Sequence, residues 1–443
     1  MRTVNEIIDE QPLSRFQKTT IWLCALVLFL DGFDTQSIGF LVPSISEGLD
    51  IPLSAFGSVF AAGLFGLMIG TMLGGPIADR WGRKWAIVGS SFLFGIFSIM
   101  TANASTREEL VILRFVTGLG LGGVMPNVVA LATEYAPARL QSTLVTMMFG
   151  GMGAGAVVAG IAGSLMMPVW GWQSVLYLGG ALPIALAVLL MWKLPESVRF
   201  LTVKGADPAR VSAILGQISP ELAHEQVRPA PQETRLEGLP VKHLFTEGRA
   251  MGTVLLWVPY FMNLLLLYFI LSWQPALLRQ AGMPVSAGIA AVTAFSLGNI
   301  CGAFAQGRLM TVLGASRVLL TEFAAAIVLM GMLGFVLHLY WLMLAVTFLL
   351  GVCIPGAQAG LNALAARFYP TPIRSTGVGW ALGIGRIGSI VGPYIGGMML
   401  GWSWTPEDIF MAGIVPPMYG PTMEPMRPMP SAQPTPVERI GVG

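Results

Sequence analysis

Two carboxylates interrupt an apolar run near the start of the chain. In Leu30-Asp31-Gly32-Phe33-Asp34 they stand at i and i+3, which on a helix puts both on nearly the same face, one turn apart. Two like charges that close, and out of water, do not both stay ionised without penalty. A carboxyl held in that way is able to take up and release a proton. The alternative is that one Asp accepts hydrogen bonds from neighbouring helices or pairs permanently with an Arg. Two arginines have similarly apolar surroundings. Arg386 lies in Gly383-Ile384-Gly385-Arg386-Ile387-Gly388, where glycines let another backbone or a flat ligand come close. An Arg keeps its charge in any environment and offers a planar fork matched to a carboxylate. Arg386 therefore either contacts an anionic substrate or neutralises Asp31 or Asp34. Arg114, which opens Arg114-Phe115-Val116-Thr117-Gly118-Leu119-Gly120-Leu121-Gly122, either relays charge to the aspartates or reaches back to the surface.

Other polar groups have weaker claims. Glu134 and Tyr135 close an apolar stretch, where solvation or a pair with Arg139 is the simplest fate of Glu134 and a direct role is the other. Asn263, Tyr268, Asn299, Gln358 and Asn362, with Trp273 and Trp380, either line a cavity or join helices. The run Gly118-x-Gly120-x-Gly122-Gly123 superficially suggests a dinucleotide loop, but no strand precedes it and it lies within an apolar stretch. Its glycines suit close helix packing instead. The loop Gly75-Pro76-Ile77-Ala78-Asp79-Arg80-Trp81-Gly82-Arg83-Lys84 combines an acid, a turn glycine and three cations. Asp79 there is expected to cap the following helix or to clamp a neighbouring helix end, a contact that opens and closes. Cys24, Cys301 and Cys353 lie in apolar stretches and His224, His243 and His338 lie far apart, so neither a disulfide framework nor a metal site is expected. No cofactor is expected either.

The elements that hold these residues follow from composition. Of 443 residues, 54% are hydrophobic and 11% charged, whereas a soluble domain carries about 25% charged residues. A soluble enzyme, a secreted disulfide scaffold and a disordered chain are therefore not expected, and so few charges leave none to make a basic patch for nucleic acid. A spanning helix needs roughly 20 mostly apolar residues. Such stretches fall at 19–43, 56–77, 85–102, 109–134, 141–167 and 172–192, and again at 251–278, 286–310, 317–337, 340–365 and 373–401. The expected fold is thus all-α and polytopic, with the lipid bilayer as solvent. An ionisable residue deep in such a span costs at least about 2.5–3.5 kcal/mol on insertion scales, which makes Asp31, Asp34, Arg114 and Arg386 functional candidates. With the N-terminus in the cytoplasm, nineteen of the 25 Lys and Arg residues fall on the cytoplasmic side and only Arg107 and Arg279 fall outside; that asymmetry sets the expected orientation. The first twenty residues carry Glu6, Asp9, Glu10, Arg15 and Lys18, unlike a cleavable signal peptide.

An internal repeat divides the chain. Asn127 precedes Pro137-Ala138-Arg139 by the same spacing with which Asn362 precedes Pro372-Ile373-Arg374, and Gly75…Gly82 is echoed by Gly307…Gly314. The expected organisation is a six-helix half at 1–192, a cytoplasmic linker at 193–250 and a second half at 251–443. That second half has five clear spans. Beyond Trp404 the apolar run from Ile409 is broken by Pro416-Pro417 and gives way to a Pro- and Met-rich tail, so a twelfth span is degenerate or missing.

Taken together, these motifs resemble the major facilitator superfamily. The loop at 75–84 is similar to its signature between spans 2 and 3, Arg114–Gly122 to its span 4 pattern, and Pro195-Glu196-Ser197-Val198-Arg199-Phe200 to its motif after span 6. Asp31–Gln36, Met125-Pro126-Asn127 and Gly377–Arg386 resemble the aromatic acid:proton symporter branch. The resemblance implies a proton-driven importer of 4-hydroxybenzoate-like, protocatechuate-like or related acids in a bacterial inner membrane. It also implies roles for Asp31 and Asp34 in span 1, Asp79 and Arg80 in the loop and Arg386 in span 11. A monomer is expected, its two halves rocking about a midplane site. With the reading of the residues themselves, proton coupling is expected of Asp31, Asp34 and Arg114, and substrate contact of Arg386, Asp34, Asn127 and Trp380. The loop residues Gly75, Asp79, Arg80, Gly82, Arg83 and Lys84 would act as a gate, with Glu134 a further candidate. Two other readings remain open at this point: a porter for sugar acids or aliphatic dicarboxylates, and a membrane sensor that transports nothing. A membrane-embedded enzyme is not expected, because no span carries a nucleophile–base or metal constellation.

Overall fold

A chain in lipid must satisfy its backbone polar groups internally, and for runs of this length the α-helix does so. The computed structural model describes residues 2–3, 8–9, 13–204, 208–218, 227–228, 241–246, 248–370 and 373–420. Its first six long helices are α1 (Arg15–Leu49), α2 (Phe56–Trp81), α3 (Arg83–Ala102), α4 (Arg107–Glu134), α5 (Ala138–Trp170) and α6 (Gln173–Lys193). Five more follow: α7 (Ala250–Gln280), α8 (Val285–Leu313), α9 (Ala315–Phe335), α10 (Tyr340–Phe368) and α11 (Arg374–Gly401). Among the described residues ten helices are long and apolar enough to cross a membrane, and α11 matches them in length at 28 residues. Each expected span coincides with one of these helices, and most of the helices run longer because polar residues cap and extend them. Ser14 with Gln17 forms a capping box at the start of α1, and Thr106 with Glu109 does the same for α4. Between α6 and α7 lie two short helices, Val198–Val203 and Pro208–Ile218. A two-residue parallel pairing joins Arg2–Thr3 to Val227–Arg228.

The same helix pairings occur twice. α2 packs on α4 as α8 packs on α10, and α1 packs on α5 as α7 packs on α11. Backbone makes these contacts, through glycine. A Cβ on Gly118 or Gly122 would strike the carbonyls of Gly63 or Leu67 in α2, while Gly298 and Gly351 stand in the same relation to α10 and α8. The glycine run of α4 thus serves two neighbours: Gly118 and Gly122 face α2, and Gly120 and Gly123 face Phe94 and Ser90 of α3. Gly118→Val is accordingly expected to destabilise the protein by about 1–3 kcal/mol or more, seen as a lowered melting temperature in detergent. Gly89→Ala, at a position with no atom within 4 Å, is expected to be neutral or stabilising.

The repeat breaks at its last element. On α3 the sixth helix α6 packs along its length; on α9 that place is taken by α12 (Pro406–Ala412) and α13 (Val415–Met418). Thr405 and Asp408 cap α12, with Pro406 in its first turn. Ile409 and Phe410 are buried, and Ile414 reaches Gly331 on α9. Pro416 and Pro417 lack the N–H groups that would extend the helical ladder. Within the described residues the twelfth element is therefore abbreviated. The tail from 421 onward lies outside them.

The two bundles meet toward one end. The end bearing the α1 C-terminus is named here the Glu47 end, and the end bearing the α2–α3 loop the Asp79 end. Near the Glu47 end Arg279 of α7 donates to Glu47 at 3.0 Å. There α2 and α11 are close enough that a Cβ on Gly57 would lie 3.1 Å from Gly397 Cα, and Phe60 meets Trp273 edge to face at 5.4 Å. At the Asp79 end Asp79, Arg80 and Trp81 are exposed, and Gly75, Gly379 and Gly383 have open space beside them.

Candidate functional site

Helix α1 runs between the bundles, and its two aspartates take different partners. Asp34 is 1% exposed and Arg114 5%. Arg114 Nη1 stands 3.3 Å from Asp34 Oδ2, Ser98 Oγ donates to Asp34 Oδ1 at 2.7 Å, and Arg114 Nη2 reaches Thr117 Oγ1 at 3.5 Å. Arg114 is thus a buried partner of α1, not a side chain reaching for the surface. Its Nε is buried without a hydrogen-bond partner. Asp31, 2% exposed, accepts from Thr35 Oγ1 at 3.1 Å and lies within the electrostatic reach of Arg386. Arg386 itself is half-buried and crosses between bundles to Met125 Sδ at 3.9 Å. Tyr268 of α7 feels the charges of both Asp31 and Arg386.

A cavity lies against the Asp34–Arg114 pair, with about 570 Å³ of space between atoms, open solvent included. Asp34, Thr35, Arg114 and Thr117 line it from the first bundle and Tyr268 and Ser272 from the second, with Phe60, Leu64, Leu67 and Leu121 supplying apolar wall. The arrangement combines a cation, a carboxylate paired with it, and an apolar slot. Such a site suits a small amphipathic anion.

Arg386 is not among the residues lining this cavity, and two further expected substrate contacts lie elsewhere as well. Asn127, which is 3% exposed, donates its amide to the carbonyls of Gly74 at 3.0 Å and Gly123 at 2.8 Å. One donor hydrogen joins α4 to α2 through Gly74, and the other is spent within α4 on the Gly123 carbonyl four residues back. Trp380 stacks on Trp257 with ring centroids 6.0 Å apart, in the first turns of α11 at the Asp79 end. Neither lines the Asp34–Arg114 cavity. Asn263, Gln358, Asn362 and Tyr260 form a hydrogen-bonded set between α7 and α10, and Trp273 donates to the Pro393 carbonyl. These are helix-joining roles. Ser98, Thr117, Thr35 and Ser272 were not legible as site residues, because hydroxyls are common in apolar helices and carry no spacing signal.

The 75–84 loop is organised around a residue from further along the chain. Gly82 adopts φ +99°, and a Cβ there would meet the Glu196 carboxylate. Glu196 Oε1 accepts from the Lys84 backbone N–H at 3.1 Å and the Ser197 N–H at 2.9 Å. The anion at the start of α3 is therefore Glu196, and Asp79, in the last turn of α2, does not fill that role. Arg83 pairs with Glu134, whereas Arg139 donates to the Asp9 carbonyl at 2.9 Å. Arg80 and Lys84 lie over the rings of Trp81 and Trp85.

The chain matches the family model described as Major Facilitator Superfamily over residues 24–338 and 256–418. It is 40% identical to the 4-hydroxybenzoate transporter PcaK of Pseudomonas aeruginosa, over 93% of each chain. It is 38% identical to a gallate transporter of Pseudomonas putida, over 90% of this chain and 88% of that one. Among solved structures, the nucleoside transporter NupG aligns with a TM-score of 0.68 at 15% identity, covering 91% of this chain and 96% of that one. The partially occluded inward-open xylose transporter XylE from E. coli aligns with a TM-score of 0.69 at 17% identity, covering 92% and 97%; at such identities the likeness concerns the fold. By its sequence match and its helix architecture, the chain belongs to the major facilitator superfamily, a family of multi-pass membrane transporters rather than enzymes, and within it to the transporters of aromatic acids.

Proposed function

We propose that this chain is a monomeric, proton-coupled symporter that imports small aromatic carboxylates of the 4-hydroxybenzoate kind across a bacterial inner membrane by alternating access. The observation that carries the reading is the buried Asp34–Arg114 pair on the wall of a cavity between the two bundles. While Asp34 is ionised it occupies the guanidinium. A proton on Asp34 frees that cation, and the substrate carboxylate takes its place, so proton and anion travel together. Asp31, Thr35, Tyr268 and Arg386 form a second polar group where the bundles meet, with Arg386 a further contact for the anion. The relatives' named substrates support the class: 4-hydroxybenzoate and gallate are both ring-bearing carboxylates.

The N-terminus is cytoplasmic in this reading, as the placement of Lys and Arg favours. The Glu47 end then faces outward and is closed, and the parted Asp79 end faces the cytoplasm. Residues 1–192 and 251–443 rock about the cavity, with 193–250 as their connector, and the 75–84 loop engages the other half when the cytoplasmic side closes. One proton with one monoanion moves no net charge, so the pH gradient alone drives it, at about 1.4 kcal/mol per unit. A second proton, for which Asp31 supplies a carrier, adds about 2.3 kcal/mol per 100 mV.

Uptake of labelled 4-hydroxybenzoate into proteoliposomes with an imposed pH gradient tests this. Accumulation is expected to follow the gradient and to be inhibited by other aromatic acids. Equal inhibition by sugar acids or aliphatic dicarboxylates would move the substrate class. No movement of substrate by well-folded protein would favour a membrane sensor.

A further inference from the structure

Two hydroxyls in the cavity have no hydrogen-bonding role so far. Tyr268 and Ser272 stand at i and i+4 on α7, hence on one helix face, and both line the cavity. Ser272 is only 7% exposed. Among the described residues neither side chain makes a protein hydrogen bond, although most buried polar groups do. Across the cavity, on α4, lies Arg114 with its unpartnered Nε. Helices α4 and α7 belong to different bundles and are not packed neighbours. The space between them is walled by Ile38, Phe60, Leu64 and Leu121. The cavity therefore has a cationic pole at Arg114, an apolar waist and a hydroxyl pole, at which Tyr268 also feels the charges of Asp31 and Arg386.

We propose that Tyr268 and Ser272 form a ring-hydroxyl subsite, which selects aromatic acids bearing a phenolic hydroxyl at the end of the ring remote from the carboxylate. The inference rests on the reading above, with the carboxylate at Arg114. The waist takes the ring, and the phenolic O–H donates to one hydroxyl of α7 while accepting from the other. A site that hydrogen-bonds a substrate hydroxyl rejects the analogue lacking it, because its own polar groups are then left unpaired. A hydroxylated acid also touches both bundles at once, whereas benzoate reaches the second bundle only by apolar contact.

The test is equilibrium binding to the full chain in detergent, comparing 4-hydroxybenzoate with benzoate, for the wild type, Ser272→Ala, Tyr268→Phe and the double variant. The wild type is expected to prefer 4-hydroxybenzoate by about tenfold or more. Each single variant should reduce that ratio several-fold, and the double variant should bring it near one. Both substitutions remove only a hydroxyl, so folding is spared, and a ratio is insensitive to the active fraction of a preparation. A wild-type ratio near one, or a ratio unchanged in the double variant, overturns the subsite while leaving aromatic-acid transport standing. Binding of neither acid to folded wild-type protein overturns the transport reading and the subsite with it.

Discussion

Asp34→Asn is expected to abolish accumulation of aromatic acid against a gradient while substrate exchange across the membrane continues. With a pH step of two units, an electroneutral symporter accumulates its substrate about one hundredfold, and the variant should lose all of that. Asp34 is tied by Ser98 and Arg114 and is 1% exposed on the cavity wall. An asparagine fits the same space but neither binds nor releases a proton, so the guanidinium stays available whatever the pH. Labelled uptake under a gradient, set beside counterflow without one, separates the two activities. Full accumulation by Asp34→Asn would shift the coupling role to Asp31, whose own Asn variant belongs in the same experiment. Full accumulation by both variants would falsify proton coupling through α1.

Arg114→Gln has the larger expected effect on stability. It leaves the Asp34 carboxylate buried without its cation, a change that costs about 3–5 kcal/mol when one partner of a buried ion pair is removed. Melting in detergent should fall markedly, and 4-hydroxybenzoate binding should weaken by about one hundredfold or more, since the anion loses its charge partner as well. The double variant Asp34→Asn/Arg114→Gln removes the orphaned charge. It is expected to recover most of the stability and none of the binding. Arg386→Gln provides the contrast. Among the described residues Arg386 makes no ion pair within 4 Å, so its loss should affect transport with little change in melting. A double variant that binds substrate normally would remove Arg114 from the site.

Much of this architecture is legible residue by residue. Apolar runs of spanning length, separated by caps and charges, locate eleven helices because lipid leaves the backbone no other way to pair its polar groups. The glycines of α4 and α11 announce close packing because only a missing Cβ admits a neighbouring carbonyl. Repeated spacings around Asn127 and Asn362 foretell a duplicated helix arrangement, and α2–α4 and α8–α10 pack alike. The abbreviated last element follows from Pro416 and Pro417, which cannot donate to a helical ladder.

The partners of the charges were a different matter. Asp31 and Asp34 share a face by spacing, yet Asp34 turns to Ser98 and Arg114 while Asp31 is held by Thr35 on the side of Arg386. Glu134 had Arg139 close by in sequence and pairs with Arg83, 51 residues away. Asn127 occupies a motif and commits its amide to two backbone carbonyls. Ser98 and Ser272 had no distinguishing spacing at all. Sequence by itself determined which segments span, where polar residues interrupt them and which faces are smooth enough to pack, since hydropathy and helical period are local properties. Only the tertiary structure decided that Arg114 meets Asp34 and that Tyr268 and Ser272 face the same cavity. Those meetings depend on how helices far apart in the chain are rotated against one another, and that is fixed by the sum of backbone contacts along each interface.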